Sequence, residues 1–207
     1  MKVVALSDIH NQYTTKIPDG DVLIFAGDIS YLGKLWDITK FNKWLGTLPH
    51  EHKLYIPGNH DALFEKDPLL AESLVTHGVQ LTQKVTKIDG VTFAGSPITP
   101  VYSKWSFQMG GEARRAHFSQ LPKVDVLVTH GPPKTILDRN AKGEHCGCEW
   151  LLQEVTLRIK PKVHIFGHIH EGSGHQKQGD TEFYNVCILN EDQAAVHEAT
   201  VINLERS

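Results

Sequence analysis

Seven side chains suited to holding divalent cations each follow an apolar run. Asp8 and His10 come after residues 3–6, Asp28 after 22–26, Asn59 after 53–56, His130 after 124–128, and His168 with His170 after 163–166. Carboxylate, amide and imidazole donors with no thiolate among them favour Mn²⁺, Fe or Zn²⁺ over a soft metal or a structural zinc. Three oxygen donors and four imidazoles are too many for one ion and suit two, with Asp28 shared between them. Each ion then has four protein contacts and keeps room for water, as a catalytic site requires.

The elements that must deliver these groups are buried strands. Residues 22–26 are apolar throughout, the pattern of a strand covered on both faces, and such a strand brings its last residue to the carboxyl edge of a sheet, where open α/β folds bind ligands. Gly27 lets the chain turn sharply or approach a neighbour before Asp28. Asp8 and His10, two apart, point to one side if the backbone there stays extended. Apolar residues at three- and four-residue steps predict a helix over 36–48, stopped by Pro49; others are expected over 67–76, 112–120 and 146–159. Short runs at 79–81, 85–88 and 91–94, the last two joined by Asp89-Gly90, predict a second, partly antiparallel sheet. Residues 181–189 and 194–204 are expected to return and close it. With no repeat, low-complexity tract or linker, residues 1–207 read as a single domain.

The ordered set D-x-H, G-D, G-N-H-D, T-H and G-H-x-H, from residue 8 to residue 170, resembles the calcineurin-like metallophosphoesterases. That resemblance implies that Asp8, His10, Asp28 and His170 bind one metal, and that Asp28, Asn59, His130 and His168 bind the other. It makes His60 no ligand but the catalytic group near the leaving oxygen, with Asp61 orienting its imidazole. It also implies an α/β fold of two packed mixed sheets flanked by helices, a four-layer sandwich. The chain is more narrowly similar to the metallophosphoesterase-domain-containing branch at residues 41–46, 130–133 and 170–172. Some members of that branch carry Gly at the position of His168, so its presence here implies a complete site. The expected chemistry is phosphodiester hydrolysis, in which a hydroxide bridging the two ions attacks phosphorus in line. No Ser or Cys sits in a nucleophile motif, so no covalent intermediate is expected.

The other readings fit less well. An amidohydrolase barrel needs about 250 residues, and a metallo-β-lactamase-type H-x-H-x-D-H motif is contradicted by Glu171-Gly172 after His170. A non-catalytic scaffold, as the phosphoesterase fold serves in a retromer subunit, can dispense with the leaving-group histidine, which is kept here as His60. An unselective monoesterase or a nucleotide pyrophosphohydrolase of the same family is the enzymatic alternative. His50, His52, His77, His117, His145, His164, His175 and His197 lie outside the motifs and read as surface or core residues, and Cys146-Gly147-Cys148 as structural.

Composition narrows the partners. A net charge of −3 provides no surface for tracking nucleic acid, and no long apolar run predicts a membrane span. Three cysteines without C-x-x-C spacing point to a reducing compartment, and the chain reads as cytoplasmic. Residues 95–111 form an aromatic loop whose stretch Tyr102 to Phe107 is the expected stacking surface, with Trp105 and Phe107 as the side chains expected to bind substrate. The expected substrate is a small phosphoester, a nucleotide-like diester with cyclic nucleotides among the candidates.

Overall fold

Strands that are apolar at successive positions must be covered on both faces, and four layers result. The computed structural model describes residues 1–82 and 84–205. In its first half β1 (Lys2–Leu6), β2 (Val22–Ala26), α1 (Leu35–Leu45), β3 (His52–Ile56), α2 (Leu63–Lys66), α3 (Pro68–Leu74) and β4 (Val79–Gln80) are followed by β5 (Thr86–Ile88), β6 (Val91–Ser96), β7 (Thr99–Pro100), β8 (Gln108–Met109) and α4 (Gly111–Ser119). Then come β9 (Val126–Thr129), α5 (Glu149–Gln153) prolonged by a π-helical segment (Glu154–Ile159), β10 (Val163–Phe166), β11 (Gly174–Gln178), β12 (Thr181–Asn185) and β13 (Thr200–Asn203).

While β7 and β8 pair with each other alone, of the two large sheets one has the order β13-β1-β2-β3-β4 and the other β11-β12-β10-β9-β6-β5. Both are parallel at their centres with antiparallel edges at β13, β5 and β11. The period of two along each strand sorts the side chains between layers. Val3, Ala5, Ile24 and Ile56 meet Phe93, Val128 and Ile165 in the core between the sheets. Val4, Leu6, Leu23 and Phe25 face the other way, onto Ile38, Phe41 and Leu45 of α1. On the far side, Leu127, Phe166 and Phe183 are covered by Phe118 of α4 and by Leu151 and Val155 of the α5 segment. Two mixed sheets between helical layers are the fold class expected from the sequence. No helix among the described residues is long and apolar enough to cross a membrane.

Several boundaries differ from expectation, each for a local reason. Residues 79–80 join the first sheet, parallel to β3, rather than the second. The final strand is only Thr200–Asn203, and it pairs antiparallel with β1, covering an edge of the first sheet. Residues 146–148 lie outside the helix expected there because Cys146 and Cys148 donate their amides to Asp138 and Pro132 carbonyls. Asp67 does not enter α3 but caps it, accepting from the Leu70 amide at 3.1 Å.

The first sheet's β1, β2 and β3 and the second sheet's β9 and β10 end at a common edge. A bridge from Ser7 to Cys187, with the Ser7 amide donating to the Val186 carbonyl at 2.9 Å, joins the two sheets there.

Candidate metal centre

The strand ends turn abruptly. Asp8, His10, Asn11, Asp28 and His168 all have positive φ, between 41° and 71°. The backbone at Asp8 and His10 is therefore not extended, as the two-residue spacing had suggested; their side chains converge through left-handed turns instead. Such conformations are costly for non-glycine residues and persist where the surroundings hold them, which is common at functional sites. Gly27 is required twice over: its φ is +98°, and a Cβ there would lie 2.3 Å from His130 Nδ1.

Three groups of side chains come close enough together to hold a cation: Asp8 with His170 and Cys187, His10 with Asp28 and His60, and Asp28 with His130 and His168. Asp28 belongs to two of them. Its Oδ1 accepts the His60 amide at 2.8 Å, while Oδ2 lies 3.8 Å from His10 Nε2 and 3.3 Å from His130 Nε2. A single oxygen thus lies within 4 Å of two imidazoles that belong to different clusters. Asn59 Oδ1 completes one side, 2.9 Å from His130 Nε2. On the other, His170 Nε2 is 3.5 Å from Asp8 Oδ1.

The imidazoles are set by their far nitrogens. His10, His60, His130 and His170 turn Nδ1 to the carbonyls of Ser30, Tyr31, Ala26 and Asn190, at 3.3, 2.8, 3.0 and 3.0 Å. A carbonyl only accepts, so each Nδ1 carries the hydrogen and each Nε2 is presented to the centre. Asp8 Oδ1 is buried and has no hydrogen-bond partner. A fully buried carboxylate oxygen without a hydrogen bond, 3.5 Å from His170 Nε2, is costly unless a cation meets it. The set of nitrogen and oxygen donors therefore fits divalent cations.

Electrostatics agree. Burial opposes charge on His130 and His170, but Asp28 and Asp8 outweigh it and hold both near a pKa of about 9. Burial and His130 push His168 down to about 3. Without cations, His130 and His170 hold protons at neutral pH that any metal must displace. The apparent Kd for Mn²⁺, followed by calorimetry, should therefore fall by about tenfold or more per pH unit from about pH 6 to about pH 8. A pH-independent Kd would exclude these two as ligands.

Asp61 does not orient His60. Its buried carboxylate accepts from the amides of Ile29, Ser30 and Gly58 and from the Ser30 hydroxyl, while the His60 ring is held by Tyr31. Asp61 ties the turn after β3 to the turn after β2; burial and nearby Asp28 raise its pKa to about 7.

The centre opens into a cleft of about 540 Å³, walled by Tyr102 and Val101 on one loop, Asn140 and Cys146 on another, and Gln193. Phe107 is not in that wall. It packs against two core clusters, its amide bound to Glu65 and its carbonyl to the Thr99 amide. Trp105 stacks on His60, centroids 4.1 Å apart and planes at 28°, so it braces the imidazole rather than offering that face to substrate. Tyr102 opens the stretch expected to stack on substrate, and of its three aromatic rings this is the one that lines the cleft, 5.2 Å from the ring of His168. The sequence does not mark Cys187 as a site residue, because it stands inside the apolar run 186–189, where a small buried side chain reads as core.

Comparison with known proteins places this arrangement. The chain is 34% identical to human metallophosphoesterase domain-containing protein 1 over 98% of its own length and 71% of the relative's. It is 37% identical to a UPF0046 protein of Caenorhabditis elegans, over 92% and 70%. The crystal structure of TT1561 of Thermus thermophilus superposes with a TM-score of 0.60 at 14% identity, over 89% of this chain and 88% of that one, and so shares the fold. Residues 1–172 match the calcineurin-like phosphoesterase family, and the chain belongs to that family.

Proposed function

We propose that the protein is a two-cation phosphodiesterase acting on small, nucleotide-like diesters, cyclic nucleotides among them, with Mn²⁺ as the working metal. The observation that carries this reading is Asp28 Oδ2, set between His10 and His130 at the floor of a cleft whose rim holds His60. Asp8, His10, Asp28 and His170 would hold one cation, and Asp28, Asn59, His130 and His168 the other. Bound there, the cations supply a Lewis acid for the phosphoryl oxygens and lower the pKa of water. The chain's own residues do the rest. His60, with Nδ1–H fixed on Tyr31, turns Nε2 toward the cleft and would hold the proton needed by the leaving oxygen. Trp105 keeps that ring from swinging out.

Substrate preference follows from the walls. Tyr102 replaces Trp105 and Phe107 as the surface on which a base would stack, because it alone of the three lines the cleft. Stacking of a base on an aromatic ring is worth about 1–3 kcal/mol. Tyr102→Ala should accordingly raise KM for nucleotide diesters by about 5- to 150-fold, with KM for a methyl nitrophenyl phosphodiester unchanged. Trp105→Ala should instead lower kcat with little change in KM. Equal changes in KM for both substrates in Tyr102→Ala, or faster turnover of monoesters than of any diester by the unaltered enzyme, would overturn the substrate class. The scaffold reading is disfavoured because His60 and every ligand position are present.

A further inference from the structure

Cys187 is the third member of the Asp8–His170 cluster, and neither the motif pattern nor the proposed chemistry gives it a task. It follows β12 at the point where the two sheets are joined. The Ser7–Cys187 bridge, the Cys187 amide on Asn185 Oδ1 at 3.2 Å and the Ser173 hydroxyl on the Cys187 carbonyl at 2.9 Å fix its peptide on both sides. Its side chain is buried, with Sγ 2.8 Å from Asp8 Oδ2. A carboxylate only accepts hydrogen bonds, so two acceptors cannot sit this close without a proton between them, and the thiol donates. Oδ2 also accepts the His168 amide at 3.0 Å. One oxygen of Asp8 is thus saturated by two donors, while Oδ1, equally buried, has none and faces His170. The neighbourhood is tight: a Cβ on Gly167 would fall 2.3 Å from that same Oδ2.

We infer that Cys187 is a positioning residue for the metal centre, whose S–H locks Asp8 so that Oδ1 alone is turned to the cation shared with His170. The inference rests on the two-cation reading above. Partners that orient a metal's ligands typically contribute about 10- to 100-fold in metal affinity. Ser at this position keeps a donor; Ala removes it. The thiol is a partner of the ligand and not a ligand itself.

The test is Mn²⁺ binding by calorimetry to the wild-type chain, Cys187→Ala and Cys187→Ser, with thermal melts and the absorption spectrum of Co²⁺-loaded wild type. Expected are one site weakened by about 10- to 100-fold in Cys187→Ala, the other site unchanged, near wild-type binding in Cys187→Ser, and no sulfur-to-cobalt charge-transfer band. Unaltered affinity in Cys187→Ala, with only a lowered Tm, would reduce Cys187 to packing and overturn the inference. So would a Cys187→Ser that folds but binds as poorly as Cys187→Ala, and so would a charge-transfer band, which would make the thiolate a ligand. If Cys187→Ala does not fold, Cys187→Ser and the cobalt spectrum decide alone. Failure of the two-cation reading looks different: the wild-type chain itself would then not bind two cations.

Discussion

Asp28→Ala is expected to empty the centre of both cations and to lower kcat/KM by about 10³-fold or more. The expectation comes from position: Oδ2 of Asp28 is within 4 Å of Nε2 on both His10 and His130, which belong to different clusters. Every other proposed ligand serves one side, so Asp8→Ala or His130→Ala should leave one ion behind. The fold itself should survive, because Asp28 lies beyond β2 and takes no part in its ladder. The same carboxylate does hold the His60 amide through Oδ1, so some disorder of the His60 turn is expected as well. Metal analysis of the purified, Mn²⁺-reconstituted variant is the check, and two ions still bound would reject the shared role.

His60→Ala should separate chemistry from metal binding. The ring lies beside His10, centroids 4.5 Å apart, and falls within the His10–Asp28 cluster. Distance alone would thus admit it as a ligand. If it is instead the acid for the leaving oxygen, the variant should keep two ions while kcat falls by about 10²- to 10⁴-fold on alkyl diesters. The loss should be much smaller on nitrophenyl esters, whose leaving group needs no proton. Metal content dropping to one ion would make His60 a ligand, and equal losses on both substrates would remove the acid role.

What was readable in the sequence, and what was not, divides along the regular strands. Asp8, Asp28, Asn59, His130 and His168 each follow a buried parallel strand, and a run of apolar residues announces both the strand and its end. The layers were legible for the same reason, since Val3, Ala5 and Ile24 alternate with Val4, Leu6 and Leu23 between two cores. Tyr102, Trp105 and Phe107 stand in irregular backbone, where no period tells which ring faces the cleft. There the outcome rests on particular bonds, such as Glu65 holding the Phe107 amide. Asp61 was misassigned because adjacency to His60 in sequence says nothing of where a carboxylate turns once three amides and a hydroxyl surround it. The pairing of β13 with β1 joins residues some two hundred apart, and only the unfilled edge of the first sheet calls for it.

The two-cation reading requires that Asp28 be shared by both ions. Electron paramagnetic resonance of the protein titrated with Mn²⁺ tests it directly, because two Mn²⁺ ions sharing an oxygen ligand are exchange-coupled. At two equivalents the spectrum should be that of a coupled pair, and Asp28→Ala should not give it. A spectrum of isolated ions at two equivalents, or saturation of the wild-type chain at one, would contradict the account.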